Sequence, residues 1–495
     1  MLFKELTGVA CDKFSETRHY LWENPRMKSE IFVRRSRIEA PSEEVFDWHA
    51  RSGAFQRLTP PWETVQIIRN NGGIKDGDQL VMKVSTPFPI QWVAEHRNYI
   101  HGKQFCDFQV SGPFAKWEHM HLVEPDGELA CYLEDQIEYA LPMGWVGEAM
   151  AGKSIQKKLN RMFDYRHEIT KRDIMQHQQH KGEKMKIAIT GSTGLVGSAL
   201  VPFLTTGGHE VKRLVRSETR GLGMTGSASQ LVDEVHWNPL TGNIDKENLE
   251  GMDAIVHLAG EPIASGRWNA RKKKRILDSR IEGTKLISQT ITNLQVPPKV
   301  LLSASASGFY GDRGDEILNE DSQPGSGFLS EVCEAWEKET ESAKKNIRVV
   351  NLRFGVVLTP AGGALARMLL PFRLGIAGNL SILGRQYMSW IGLDDVIGVI
   401  HHALTNEGLS GPVNVVSPRP VRNSEYTKTL NKVLGRPFPM NRFPIPSFGV
   451  RALLGEMADA LLLSSAKIEP SCLVQTGYEF RHPELESSLR FMMGR

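Results

Sequence analysis

The residues best suited to chemistry begin at Gly191. Gly191-Ser192-Thr193-Gly194-Leu195-Val196-Gly197 spaces three glycines as G-x-x-G-x-x-G. Such a loop holds a pyrophosphate with backbone N–H groups and the positive end of the following helix, and a bound nicotinamide dinucleotide brings hydride chemistry. Gly191 permits the tight turn, Gly194 lets the backbone approach the phosphates, and Gly197 lets helix and strand pack closely. Thr193, Leu195 and Val196 complete the cradle. The spacing alone is weak, but its flanks strengthen it. Residues 185–190 read as a short strand, 198–206 as a helix stopped by Gly207-Gly208, and 210–216 as the next strand. The cofactor's 2′ position is read at the end of that second strand, where an acid favours NAD. No acid stands there before Glu218. Arg213, Arg216 and Ser217 are placed to hold a 2′-phosphate, which predicts NADP(H) over NAD(H).

Strands and helices go on alternating. Residues 253–260 read as a buried strand ending in a glycine turn. That puts Leu258, Ala259 and Gly260 at the carboxyl edge of a parallel sheet, where the cofactor lies. Residues 299–303 form another strand, with Ser303 at the same edge, and 348–355 a third. The pieces ITGSTGLVGSALVPFL, VHLAGEPI, RWNARKKKRILDSRIEGTKLI, SASASGFYGDRGDE, LRFGVVLTPAGGAL, GRQYMSWIGLDDV and GYEFRHPELESSL resemble an extended short-chain dehydrogenase/reductase of the NAD-dependent epimerase/dehydratase class. More narrowly they are similar to its atypical, SDR39U1-like epimerase subfamily. The resemblance spans nearly all of residues 185–495 and implies an α/β Rossmann domain, with a small C-terminal helical lobe capping a substrate cleft.

Ordinary members of that superfamily use Tyr-x-x-x-Lys plus Ser: Tyr moves the proton, Lys lowers its pKa, and Ser polarises the carbonyl. Here Leu329 falls at the Tyr position and Cys333 at the Lys position. Ser305 is the candidate to polarise a carbonyl. Tyr310, beside the serine cluster, and Glu261, directly after Gly260, are candidate acid and base. Glu331 and Cys333 are weaker alternatives. The reading is an NADP(H)-binding epimerase or oxidoreductase with a non-standard active site and a small-molecule substrate. Its rival is a non-catalytic NADP(H)- or lipid-sensing protein, or a carrier.

Before this domain the text is strand-rich. Residues 31–38 read as a strand, and Pro41-Ser42-Glu43-Glu44 opens a helix. Strands at 79–84, 92–100, 103–110, 115–123 and 130–139 form an antiparallel meander. A last amphipathic helix follows Gly147. Period two puts His119, His121 and Asp135 on inward faces, where they need partners, water or a ligand. No third ligand is placed beside the two histidines, so no metal is expected. FVRRSRIEAPSEEVFDW, KWEHMHLVEPDGELACYLEDQIEYALPMGW and LNRMFDYR resemble the START/Bet v 1-like (SRPBCC) superfamily. That implies an α+β helix-grip fold with a hydrophobic small molecule in its cavity.

The expected bodies are therefore a helix-grip domain at 30–170, a linker at 171–184, a Rossmann domain at 185–415 and a C-terminal lobe at 416–495. The 495 residues carry 60 basic and 57 acidic side chains, a balance too even for a nucleic-acid partner. The basic run from Arg271 to Arg275 reads as a solvated helix face. Five scattered cysteines form no CxxC pair. No stretch is apolar enough for a membrane span and the first residues carry no signal core, so the expected place is the cytoplasm.

Overall fold

The computed structural model describes residues 29–85, 89–179, 184–216, 232–375, 378, 384–436, 451 and 455–495. Its N-terminal body runs β1 (Glu30–Ile38), α1 (Ser42–Ala50), α2 (Ala54–Leu58), β2 (Val65–Asn70), β3 (Gln79–Ser85), β4 (Pro89–Ile100), β5 (Gln104–Ser111), β6 (Lys116–Pro125), β7 (Cys131–Ala140) and α3 (Trp145–Gln179). The seven strands form one antiparallel sheet in the order β1-β7-β6-β5-β4-β3-β2. Strict alternation on β6 buries Trp117, His119, His121 and Val123. That is the pleat of a sheet with one covered face. Leu159 and Phe163 of α3 pack there against Phe32, Trp117, Ile137 and Tyr139. β2 had no sequence signal: it is an edge strand whose Ile68 is exposed.

α3 takes in residues 171–179, the first part of the expected linker. It continues to Gln179, and Asp173 and Ile174 within that stretch are buried. The polar text is polar because it faces other charges across a junction rather than water.

The second body runs β8 (Lys186–Thr190), α4 (Gly197–Thr206), β9 (Glu210–Val215), β10 (Asp233–Asn238), β11 (Asn243–Ile244), β12 (Ala254–His257), α5 (Ala270–Thr292), β13 (Val300–Ala306), α6 (Phe328–Lys338), β14 (Arg348–Phe354), α7 (Leu393–Thr405) and β15 (Gly411–Val415). Its sheet has the order β11-β10-β9-β8-β12-β13-β14-β15, parallel except for β11. Continuous burial along β8, β12 and β13 fits a parallel sheet covered on both faces. The order reverses between β8 and β12. Loops leaving those two strands diverge there and open a crevice at their carboxyl ends. A C-terminal lobe containing α8 (Asn423–Val433) and α9 (Leu485–Met493) packs Leu430, Tyr426 and Leu489 around Trp390.

The two halves touch. A Cβ on Gly53 would meet Pro202 Cα of α4 at 2.7 Å, and Arg51 donates to the Thr206 carbonyl at 2.9 Å. Arg57 bridges Asp173 in two hydrogen bonds, 2.7 and 2.8 Å, and reaches Asp394 at 3.1 Å. Arg481 of the C-terminal lobe reaches the same Asp173 at 3.1 Å. Asp173 and Arg57 are buried, so these charges are held by one another.

Candidate functional site

The crevice is built from the glycine loop outward. Gly191 has φ +67°, and a Cβ there would lie 2.7 Å from the Leu258 carbonyl carbon and 2.8 Å from Ala259 N. Only glycine lets the ends of β8 and β12 come so close. A Cβ on Gly197 would sit 2.3 Å from Gly191 O, which seats α4 directly on the turn. Thr193 and Gly194 are exposed, and Leu195 and Val196 are half-buried. The loop thus presents backbone, with the first turn of α4 behind it, to anything in the crevice.

Thr190 locks this geometry. Its Oγ1 accepts from Leu258 N (3.1 Å) and Ala259 N (3.2 Å). With both lone pairs used, its proton goes to His257 Nδ1, 2.7 Å away. Burial pushes His257 down to about 4, so the ring is neutral. Thr190 and His257 lie within the quoted sequence pieces but carry no role there: each matters through the neighbouring strand.

At the end of β9, buried Arg213 donates from Nε to Ser192 Oγ at 3.1 Å, and its Nη1 lies 3.8 Å from Glu234. It braces the loop from beneath. Arg216 is exposed at the same strand end. Ser217 lies outside the described residues.

The predicted catalytic residues divide. Ser305 is buried and donates to Glu337 Oε1 at 2.6 Å. Arg353 spans that carboxylate from Nε (2.8 Å) and Nη2 (2.9 Å), and gives Nη1 to the Tyr310 hydroxyl at 2.9 Å. Tyr310 is fully buried and donates to Asn414 Oδ1 at 2.8 Å. Burial raises its pKa. The phenol is thus buried with its donor and acceptor roles both filled. Tyr310, and Ser305 with it, belong to an internal Ser–Glu–Arg–Tyr–Asn network. Ser303 is wholly buried on β13 beneath the crevice. Cys333 is buried with its thiol toward the Ala306 carbonyl, and burial pushes it up to about 12. Leu329 packs on Gly308.

Glu261 alone of the three is half-buried at the mouth. Lys272 donates to it at 2.6 Å and holds its pKa below the ordinary glutamate value, with Arg275 and Arg216 adding to the effect. Within the 271–275 run Lys272 is buried, while Arg271, Lys274 and Arg275 are exposed. Arg280 lines the same mouth, donating to the Glu261 carbonyl at 3.1 Å and covering Gly260.

In the N-terminal body, His119, His121 and Asp135 do converge. His119 Nε2 and His121 Nδ1 lie 2.8 and 2.7 Å from Asp135 Oδ1, and His167 Nε2 lies 2.7 Å from Oδ2. Burial pushes His119 down to about 4. Burial opposes a charge on His121 as well, but Asp135 and Asp107 outweigh it and raise it to about 9. The sheet face toward α3 is filled by Phe32, Trp117, Tyr139 and Phe163. Two cavities lie at the seam between the halves. One, of about 230 Å³, borders Arg57, Tyr165, Leu195, Asp394 and His482. The other, of about 790 Å³, borders Trp62, Val65, Ile67, Arg161 and Leu369.

Residues 187–416 match the model of the NAD dependent epimerase/dehydratase family, and 445–492 match a domain of unknown function. An epimerase family protein of Mycobacterium bovis is 40% identical over 310 residues, covering 62% of this chain and 98% of that one. The crystal structure of a nucleoside-diphosphate sugar epimerase from Corynebacterium glutamicum is 30% identical, with a TM-score of 0.74. It covers 94% of this chain and 90% of its own, so the N-terminal body is included in the match. Human epimerase family protein SDR39U1, solved with NADPH, is 33% identical with a TM-score of 0.54, over 62% of this chain and 99% of its own.

Proposed function

The chain belongs to the NAD dependent epimerase/dehydratase family, and on that premise we propose that it binds NADP(H) in the β8–α4 crevice and acts on a small-molecule substrate as an epimerase or oxidoreductase with a non-standard active site. One observation carries the reading: Gly191 and Gly197 leave room only for backbone, and Thr193 and Gly194 face outward. That fits a pyrophosphate at the helix N-terminus. Exposed Arg216 at the end of β9 would hold a 2′-phosphate, with Arg213 braced on Ser192 behind it. Leu258, Ala259 and Gly260 would border the ribose and nicotinamide. Bound there, the dinucleotide supplies hydride transfer. Glu261 is the remaining candidate to move a proton at the mouth, and Lys272 holds it as a carboxylate at neutral pH.

Titration of the purified chain with NADPH and NADH tests the site. Tighter NADPH binding is expected, and tighter NADH binding overturns the preference. Labelled NADPH with a carbonyl panel tests turnover through hydride exchange.

A second reading has its own support. Leu329 and buried Cys333 stand where Tyr and Lys are expected, and the N-terminal body docks on α4, the helix that would carry the phosphates. A non-catalytic sensor of NADP(H), coupled to a START/Bet v 1-like domain for a hydrophobic ligand, fits both facts. Nucleotide binding without exchange across the panel selects this reading.

A further inference from the structure

Two adjacent rungs of the N-terminal sheet line up chemistry that neither reading above uses. One rung crosses β4, β5 and β6 as His96, Asp107 and His119. The next crosses β5, β6 and β7 as Phe105, His121 and Asp135. Each of the two β6 histidines turns one ring nitrogen to Asp135 Oδ1, at 2.8 and 2.7 Å. Their other nitrogens, His119 Nδ1 and His121 Nε2, lie 3.7 and 3.3 Å from Asp107 Oδ2. Asp107, His119 and His121 can each offer one donor atom such that all three fall within 4.8 Å of one another.

The spacing runs from a long hydrogen bond, His121 Nε2 to Asp107 Oδ2 at 3.3 Å, to the 3.7 Å of His119 Nδ1, which is beyond one. It is the spacing of ligands around one ion: at about 2.1 Å from a tetrahedral zinc, donor atoms stand about 3.4 Å apart. Every member is also held from behind. Asp135 hydrogen-bonds the His119 imidazole and stands 2.7 Å from His121 Nδ1, in the place of a carboxylate behind a metal-bound histidine. His167 fixes the other oxygen of Asp135 at 2.7 Å. His96 Nε2 holds Asp107 Oδ1 at 2.8 Å and leaves Oδ2 for the centre. Phe105 stacks on His121 at 4.2 Å, and Phe163 meets His119 edge-on at 5.2 Å. His121 is buried, and its Nδ1 finds no aligned hydrogen-bond partner, although Asp135 is so near. The Asp107 side chain is 28% exposed and provides a way in from solvent.

We propose that Asp107 Oδ2, His119 Nδ1 and His121 Nε2 bind one divalent transition-metal ion of the zinc type, with Asp135 and His96 as the groups that orient them. Two histidines and one carboxylate leave a fourth position for water or a ligand's donor atom. Asp107 is the third ligand that sequence spacing did not reveal. It lies on β5, so only the register of the sheet brings it to β6.

The full chain is loaded with Zn²⁺, passed through gel filtration and analysed by mass spectrometry for metal, with a Co²⁺-loaded sample read by its visible absorption. About one zinc per chain is expected for the wild type, falling to about a tenth or less in Asp107→Asn and in His119→Gln. Unchanged far-UV circular dichroism shows that both variants fold. Should His119→Gln fail to fold, Asp107→Asn at the exposed ligand decides. His209→Gln is expected to keep its zinc. It reports on His177, His209 and His401, whose donor atoms also cluster within 4.8 Å. A wild type without zinc or cobalt bands, zinc retained by Asp107→Asn, or zinc lost only in His209→Gln overturns the proposal.

Discussion

Gly191, Gly194 and Gly197 share one motif, but the structure assigns them three different costs when each is changed to alanine. Alanine at 191 must hold φ +67°, at roughly 1–2 kcal/mol. Its Cβ also strikes the Leu258–Ala259 peptide at 2.7–2.8 Å, backbone that Thr190 pins with two hydrogen bonds. Forced repacking of this kind costs about 1–3 kcal/mol more. At 197, alanine gains about 1 kcal/mol of helix propensity. Its Cβ nevertheless lands 2.3 Å from Gly191 O, so the clash outweighs the gain. At 194 the φ is not positive, and the nearest atom to the new Cβ is Gly191 O at 3.2 Å. That strain is small and is balanced by the roughly 0.4–1 kcal/mol that Gly→Ala gains through the unfolded state. Gly194→Ala should therefore keep its Tm, while its methyl, on the exposed side of the loop, weakens NADPH binding about tenfold or more. Gly191→Ala and Gly197→Ala should lose several degrees of Tm as well as binding. Thermal melts of the protein without nucleotide and fluorescence titration with NADPH separate the two readouts. Wild-type affinity in Gly194→Ala, or a Tm loss in it equal to that of Gly191→Ala, refutes the reasoning.

Other substitutions report on the junction and the site. Asp173→Asn removes the shared counter-ion of Arg57 and Arg481, and should cost about 3 kcal/mol or more, seen as a Tm drop of roughly 3 °C or more for a single transition of this length. Burial raises the Asp173 pKa, but Arg57 and Arg481 outweigh it and hold it low. Its contribution is thus complete above the ordinary aspartate pKa of about 3.9 and fades only as pH falls below it. The Tm gap between wild type and Asp173→Asn should stay constant from neutral pH down to that point and close below it. Arg216→Ala should weaken NADPH about tenfold or more and leave NADH nearly unchanged, since a charge-assisted hydrogen bond to phosphate contributes about 1.5–3 kcal/mol. Tyr310→Phe strands Asn414 and Arg353 and should cost about 1–3 kcal/mol in denaturant melts. Any hydride exchange should persist in it; its loss would return Tyr310 to catalysis.

Local signals were legible in the sequence, and cross-strand ones were not. The glycine loop announced itself because its physics is contained in seven consecutive residues. His119, His121 and Asp135 were placed inward by period two alone. Asp107 and His96 escaped notice because their roles depend on register, which the alternation of a single strand does not fix. Tyr310 looked exposed and reactive beside its serines. Its burial is set by Arg353 and Asn414, some 43 and 104 residues further along the chain. The segment at 171–179 looked like a linker because composition does not distinguish solvated charges from charges that face each other.

That helix has a consequence for how the molecule comes apart. α3 grips the N-terminal sheet through Leu159 and Phe163, then enters the junction with Asp173. Neither half can melt alone without leaving Arg57, Arg481 or Asp173 buried beside a missing partner. Heat should therefore meet one cooperative transition, with both halves sharing its midpoint. A gene trimmed to residues 185–495 would yield a protein whose Arg481 and Asp394 face solvent at a surface made for contact.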